Sequence, residues 1–349
     1  GAPNSQALIH VGIGVSLSAL AYFLFQYFMG RREIAPFKFM INLRDKGFQR
    51  ILLLAIPILF SSSIAHINTM VLHGFTKSME SGAATALNQA NSVWLLPYGI
   101  FTVAIGQAML PTLSTMIGRK QNAKASTVFS VSIKRMLFFA IPSAVFFYLL
   151  REDLMLGIFI WRFDGYDAQI EVTKLAARLL QWYCISIIFQ GFIYLYNYAF
   201  YAMKVTYLPL LNGILSLIIT LVVGSYITRP DVLGAEGLSV SYAISGVLTA
   251  LILTILFKIR FPEVAPHYFQ RDSLIFVLKL IPMIVLSAGS ILLLEHFIKV
   301  PNLSNKLLQL VWLGVRFIVA FGIWFILGRL LKIDLSLPVE VQTAGEDDD

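Results

Sequence analysis

Charge is scarce in this chain: only 13% of its 349 residues are Asp, Glu, Lys or Arg, where soluble domains carry roughly 25%. That shortage excludes an ordinary soluble enzyme. The single cysteine, Cys184, excludes an internal disulfide and any multi-cysteine metal site. There is no GxxxxGK[ST] phosphate loop, no HExxH and no G-x-S-x-G elbow, so ATP hydrolysis by a P-loop, zinc proteolysis and serine hydrolysis have no motif to rest on. No cofactor is expected. What fills the space is apolar: 58% of residues are hydrophobic and the mean hydropathy is +0.76. The composition predicts an all-α polytopic membrane protein. The net charge of +8 could suggest nucleic acid, but the basic residues fall in loops. They read as topology signals and contacts to anionic membrane lipids, with no nucleic-acid partner.

Crossing ~30 Å of hydrocarbon takes about 20 apolar residues. Nine runs qualify, at about 7–29, 51–73, 84–114, 131–150, 173–202, 206–227, 235–257, 273–297 and 307–331. Leu154–Trp161 is too short to span and reads as an interfacial segment. The loops between the runs alternate in basic content. Arg31, Arg32, Lys38, Arg44, Lys46 and Arg50 follow the first run, and Arg119, Lys120 and Lys124 the third. Lys204 follows the fifth, Lys258, Arg260 and Arg271 the seventh, and Arg329 and Lys332 the ninth. The opposite loops are mixed or acidic, with Lys77, Glu80, Glu152, Asp153, Asp164, Asp167, Glu171, Arg229, Asp231 and Glu236. The positive-inside rule puts the basic set in the cytoplasm. The amino terminus is then outside and the carboxyl terminus inside. The opening GAPNSQ carries no signal-type pattern, so upstream sequence is expected, on this chain or on a partner chain.

Ionisable and amide groups inside apolar runs are functional hypotheses. Lys134 and Arg135 open the fourth run and either snorkel to the interface or face a substrate. Arg316 lies about 20 Å of helix rise before Arg329, too deep to snorkel, and is either a groove contact or half of a buried pair. Lys279 reads as interfacial and His66 as a satisfied core histidine. The group Asp164, Asp167 and Glu171 reads as a solvated loop and helix start; a membrane-bound transferase would need it to be essential.

The third run is the most unusual. Asn88, Asn91 and Ser92 recur at i, i+3 and i+4, one stripe of a helix, with Gln107 further along. Such a stripe faces protein, water or ligand, not acyl chains. Pro97 with Gly99, and Gly106 with Pro111, are two points at which a helix can bend. A polar stripe on a bendable helix suits a moving wall of a hydrophilic cavity.

The segment LNQANSVWLLPYGIFTVAIGQAMLPTLS resembles a segment of the MurJ/MviN lipid II flippase family, of the form YA[DN]R-x-x-x-[FL]P-x-G-[IVL]-x-x-V-A-[IL]-G-x-x-L-L-P-x-L-S. Ala90, Asn91, Pro97, Gly99, Val103, Ala104, Gly106, Leu110, Pro111, Leu113 and Ser114 match. AIPILFSSSIAHINT, KRMLFFAIPSAVFF, YAFYAMKVTYLP and GAEGLSVSYAISGVLTALIL are similar to further segments of that family in the same order. The departures are Ser92 in place of a cavity arginine, Leu95 at an acidic position, Val205 where an acid is common and Leu208 where Thr is usual.

The resemblance implies the exporter superfamily to which such flippases belong, in which two six-helix lobes enclose a cationic cavity and two last helices form a lipid-facing groove. The nine runs would match helices six to fourteen. Residues 1–50 would hold the last helix of an amino lobe and a basic loop, 51–260 a six-helix carboxyl lobe, 261–332 the groove pair and 333–349 a cytoplasmic tail. The implied function is flipping of a polyprenyl-pyrophosphate-linked peptidoglycan precursor across the bacterial cytoplasmic membrane by alternating access, in cell-wall biogenesis. The implied cavity residues are Asn88, Asn91, Ser92, Gln107, Lys134, Arg135 and Asn197, with Arg316 in the groove and Pro97, Gly99, Gly106 and Pro111 as hinges. The partners are the lipid-linked precursor, membrane lipids and a missing amino-terminal lobe. Loss of the arginine at Ser92 leaves two alternatives: a flippase for another lipid-linked glycan, and a non-transporting scaffold of cell-wall assembly.

Overall fold

The computed structural model describes residues 5–31, 45–77, 79, 81–160, 167–266, 270–297 and 306–336. Arg32, Lys38, Arg44, Glu80 and Asp164, named above as topology signals, lie outside the described residues, as does the tail beyond residue 336. Among the described residues the chain is helical throughout, with no strand. In hydrocarbon this is the expected solution, because a helix satisfies its own backbone groups.

The helices are α1 (Ser5–Gly30), α2 (Lys46–Thr76), α3 (Ala83–Pro97), a π segment (Tyr98–Val103), α4 (Ala104–Gly118), α5 (Asn122–Leu149), α6 (Arg151–Phe159), α7 (Asp167–Ala202), α8 (Tyr207–Ile227), α9 (Gly237–Arg260), α10 (Arg271–Phe297) and α11 (Lys306–Leu330). All nine apolar runs fall on long helical passages, the third being α3, the π segment and α4 in succession. Among the described residues eight passages are long and apolar enough to cross a membrane; the ninth, α2, carries Ser63, His66, Asn68 and Thr69 within its apolar run. Leu154–Phe159 of the short segment lies in the nine-residue helix α6, and Trp161 lies outside the described residues.

The chain divides into two compact units at Leu52/Leu53, within α2. The first contains α1, whose Phe23, Phe25 and Phe28 are all exposed. In the second, α7 is the central helix, flanked by α3, α5 and α9, while α8 packs on α9 and α10 on α11. Its interior is aromatic: Phe129, Tyr196, Phe200 and Phe257 are fully buried and meet edge to face. A smaller apolar cluster of Phe138, Phe276, Leu280, Met283 and Trp324 joins α5 to α10 and α11.

Three helices end the same way. After α4, α7 and α11 the chain turns through Lys120, Lys204 and Lys332, each with φ between 49° and 58°. Each turn carries the paired 6→1 and 5→2 backbone bonds of a Schellman cap: Gln121 to Met116 with Lys120 to Ile117, Val205 to Phe200 with Lys204 to Tyr201, and Ile333 to Gly328 with Lys332 to Arg329. Glycine is the usual residue there, and a side chain in this backbone region costs roughly 1 kcal/mol.

Close helix contact depends on a few glycines. A Cβ on Gly237 would stand 2.6 Å from the Ile227 carbonyl oxygen, part of a backbone that cannot rotate away. Gly289, in the middle of α10, has nothing within 4 Å of that position. Gly237→Ala is expected to lower stability by about 1–3 kcal/mol through overpacking, while Gly289→Ala leaves it equal or higher; thermal unfolding of the two variants in one detergent checks the contrast.

Candidate functional site

Pro97 has no N–H to give to the carbonyl four residues back, and its ring crowds that carbonyl. The backbone responds immediately: Tyr98–Val103 is a π segment, the i→i+5 form that recurs inside helices at functional sites. Widening the helix there directs Tyr98 inward and buries Thr102 completely, with its hydroxyl lacking any partner among the described residues. Gly99 is exposed with open space around it. At Gly106 a Cβ would lie 2.6 Å from the Tyr194 ring, so this glycine serves packing. Pro111 sits inside α4, which continues through it as an α-helix.

The polar stripe lies on the surface of the chain. Asn88, Ser92 and Gln107 are exposed, and Asn91 is half-buried at the edge of the stripe. The Ser92 hydroxyl donates to the Asn88 carbonyl at 2.8 Å. Asn91 faces inward, its side-chain oxygen accepting from the Trp94 indole N–H at 2.8 Å. Trp94 in turn stacks on Tyr183 and touches Tyr98 and Tyr242. Along the same face Leu95, Gly99, Ala104, Ala108, Pro111, Ser114 and Thr115 are exposed, giving a face of small, apolar and hydroxyl side chains without a charge.

Behind that face is a cavity of about 300 Å³. Its walls are Asn68 of α2, Tyr98 of the π segment, Gln190, Tyr194, Asn197, Tyr198 and Tyr201 of α7, Asn212 and Ser216 of α8, and Tyr242 of α9. Tyr194 donates to the Tyr198 hydroxyl at 2.8 Å, and Ser216 and Ser245 share a hydrogen bond of 2.9 Å. The side-chain oxygens of Asn68, Asn197 and Asn212 are buried without a partner among the described residues. Among the described residues no lysine, arginine or carboxylate lines the cavity, so what it offers is hydrogen-bonding groups and aromatic faces. Among the described residues no cluster of three His, Cys, Asp or Glu could hold a metal ion.

Of the residues expected together, then, Asn197 lines the cavity, Asn88, Ser92 and Gln107 lie on the exposed face, and Asn91 joins that face to the aromatic wall. Lys134 does not join them, whereas Arg135 lines a crevice of about 230 Å³ with Ala104, Ala108 and Thr112 of α4, beside the exposed face. Neighbours on a helix point about 100° apart, and these two part company. Arg135 donates from Nε to the Leu335 carbonyl at 2.7 Å, while Lys134 faces a separate crevice towards α10. His66, read from sequence as a core residue, is exposed on α2. Sequence reasoning missed the phenols and Asn212; only the spacing of Tyr194, Tyr198 and Tyr201 on one helical face signalled them.

Arg316 is 1% exposed. Its Nη2 donates to Asp153 Oδ2 of α6 at 2.5 Å, and its guanidinium lies 5.8 Å from the Trp312 ring centre. Lys306 ties the same two helices by donating to the Leu156 carbonyl at 2.5 Å. The surroundings are those of a buried structural pair, not of a side chain open to a lipid groove.

The architecture is that of a multi-pass helical membrane protein with a polar cavity and an exposed polar face on a π-interrupted helix. Its relatives agree with this class. The lipid II flippase MurJ family model matches residues 2–311, and the chain belongs to that family. It is 26% identical over 278 residues to a probable lipid II flippase MurJ of Bdellovibrio bacteriovorus, covering 78% of this chain and 50% of that protein. A Haemophilus influenzae protein of the same description is 24% identical, covering 91% of this chain and 62% of the relative. The fold is similar to a solved lipid II flippase MurJ in an inward closed conformation, with a TM-score of 0.63, 19% identity, and coverage of 89% of this chain and 60% of that one. An outward-facing MATE transporter of the MOP superfamily also matches, with a TM-score of 0.55, 14% identity, and coverage of 79% of this chain and 64% of the other. The chain spans about half the length of the first of these curated relatives. It is a multi-pass protein of the bacterial inner membrane.

Removing one member of the α6–α11 pair leaves a buried cation without its counter-charge. Asp153→Ala is expected to cost about 3 kcal/mol, at the low end for a buried pair because the Asp153 side chain is 40% exposed. Asp153→Leu combined with Arg316→Met restores most of that stability in detergent unfolding measurements.

Proposed function

We propose that this chain is the carboxyl-terminal part of a flippase for lipid II, and that the face of α3, the π segment and α4 is its wall of the translocation path. The observation that carries this reading is the exposed stripe of Asn88, Ser92 and Gln107 on a helix otherwise apolar enough to span the membrane. A polar face on such a helix needs an aqueous or protein neighbour. In the complete protein an amino lobe supplies the opposite wall, and the head group of a polyprenyl-pyrophosphate-linked precursor passes between them. Residues 1–50 would then close the amino lobe, 51–260 form the carboxyl lobe, 261–332 the pair beside the lipid tail, and 333–349 the tail.

The chemistry asked of this lobe is non-covalent. Hydroxyl and amide groups replace water on a sugar head group, so that it crosses ~30 Å of hydrocarbon without bare exposure to lipid. With Ser92 in place of arginine, the pyrophosphate charge is met by the other lobe. The π segment interrupts the regular helix at Tyr98–Val103, around Gly99, where the face and the inner cavity meet. Alternating access would bend the passage there, with the α7-centred aromatic core moving as a block.

The orientation proposed is carboxyl terminus inside. It is supported by the basic loops and by the three Schellman lysines, which all fall at the end where α4, α7 and α11 finish.

Ser92→Glu places a carboxylate where a pyrophosphate-bearing head group must pass. It is expected to abolish growth support in bacteria depleted of their own lipid II flippase, with membrane levels unchanged on immunoblot, while Ser92→Ala retains it. Full support of growth by Ser92→Glu would remove this face from the path.

A further inference from the structure

Three lysines from separate parts of the chain line one crevice of about 410 Å³: Lys134 of α5, Lys279 of α10 and Lys332 of the turn after α11. Its apolar walls are Val131, Ile275, Phe276 and Ile333. Among the described residues none of the three ammonium groups is ion-paired, although Lys134 and Lys279 are both half-buried.

Two carboxylates, Asp272 and Asp334, also line the crevice. Asp334 accepts from the Ser336 N–H at 2.8 Å and its hydroxyl at 2.6 Å, which hold its carboxyl below the usual range. Glu263 accepts from the Asn122 amide. Asp272 sits in the first turn of α10, where the helix dipole favours a negative charge. Three ammonium groups therefore share the crevice with two carboxylates, which leaves it with one positive charge in excess.

The crevice is also built. Arg135 holds the Leu335 carbonyl, and the Ile333 N–H bonds the Gly328 carbonyl at 3.0 Å. Together these fix the 332–336 segment over α5. Lys332 is placed by a left-handed turn with φ of 49°, a conformation glycine would adopt more easily. The position is the end of α11, just past an apolar spanning helix, at the level where lipid head groups lie.

We propose that this crevice binds the phosphate of an anionic glycerophospholipid, with Lys134, Lys279 and Lys332 around the phosphate and the apolar walls against the start of an acyl chain. Lysine serves phosphate as a compact point charge. The site is distinct from the polar face of α3 and α4, and its ligand is a membrane lipid that clamps α5, α10 and the post-α11 turn together.

Native mass spectrometry of the purified full chain, titrated with phosphatidylglycerol, phosphatidylcholine or soluble glycerol phosphate, tests the assignment. Phosphatidylglycerol is expected to add as one saturable adduct, with phosphatidylcholine at least tenfold weaker and glycerol phosphate not competing at equal concentration. Replacing Lys134, Lys279 and Lys332 together by Gln should weaken the adduct about 100-fold, roughly fivefold for each lysine, while the corresponding Arg triple retains it. If the Gln triple elutes as aggregate, Lys279→Gln and Lys332→Gln are read singly, each with a loss of about fivefold. Equal binding by the Gln variants, or equal binding of phosphatidylcholine, would overturn the proposal. Competition by glycerol phosphate as effective as the lipid would overturn the lipid assignment.

Discussion

Inside a bilayer no water is available to a backbone N–H or C=O, so every polar group in the spanning region must find its partner within the protein. That constraint organises this chain. It dictates helices, and it places hydroxyl side chains where they return a bond to their own helix, as Ser132 does to Val128 and Thr254 to Ala250. Where the chain departs from the regular ladder, the departure can be located and its cause named. Pro97 deletes one bond, the next six residues adopt π geometry, and the irregular backbone lies beside the polar cavity. Irregular backbone at membrane depth is tolerated only in such surroundings.

Some of the unpartnered polar atoms follow the same logic. Three asparagine oxygens, those of Asn68, Asn197 and Asn212, are gathered around one cavity instead of scattered. Scattered, each would cost roughly 1–3 kcal/mol of desolvation. Gathered, they share a polar space with phenols and serine hydroxyls, where water or a ligand can satisfy them. The aromatic packing of α7 against α5 and α9 is the rigid counterpart, holding the cavity walls at fixed spacing.

How much of this was legible in the amino-acid sequence depends on the range of each signal. Helix positions follow from runs of apolar residues, and every one of the nine passages falls on its run. The irregular turn after Pro97 was legible because proline acts on its own turn. Partnerships at long range were not. Arg316 finds Asp153 across 163 positions, and nothing local to either residue announces the other. Lys134 and Arg135 are adjacent in sequence and so read as one feature, yet helical geometry sends them to different neighbours. The cavity collects residues from α2, the π segment, α7, α8 and α9, and only the α7 tyrosines carry a periodic pattern of their own.

The turn residues bring these scales together. Gly82, ahead of α3, and Gly234, in the turn before α9, hold left-handed backbone at one end of the bundle, whereas Lys120, Lys204 and Lys332 hold it after α4, α7 and α11. Glycine would be the less strained choice at all five positions. A lysine at the end of a helix gains from the dipole and, facing an anionic leaflet, from roughly 1 kcal/mol of attraction to the lipid surface. Those gains match the cost of the left-handed backbone only at the end that meets negative lipid. In the proposed orientation the three lysine caps lie where both gains apply. These three lysines belong to the basic set of the loops, and their backbone geometry is consistent with the proposed orientation, in which the α4, α7 and α11 termini are cytoplasmic.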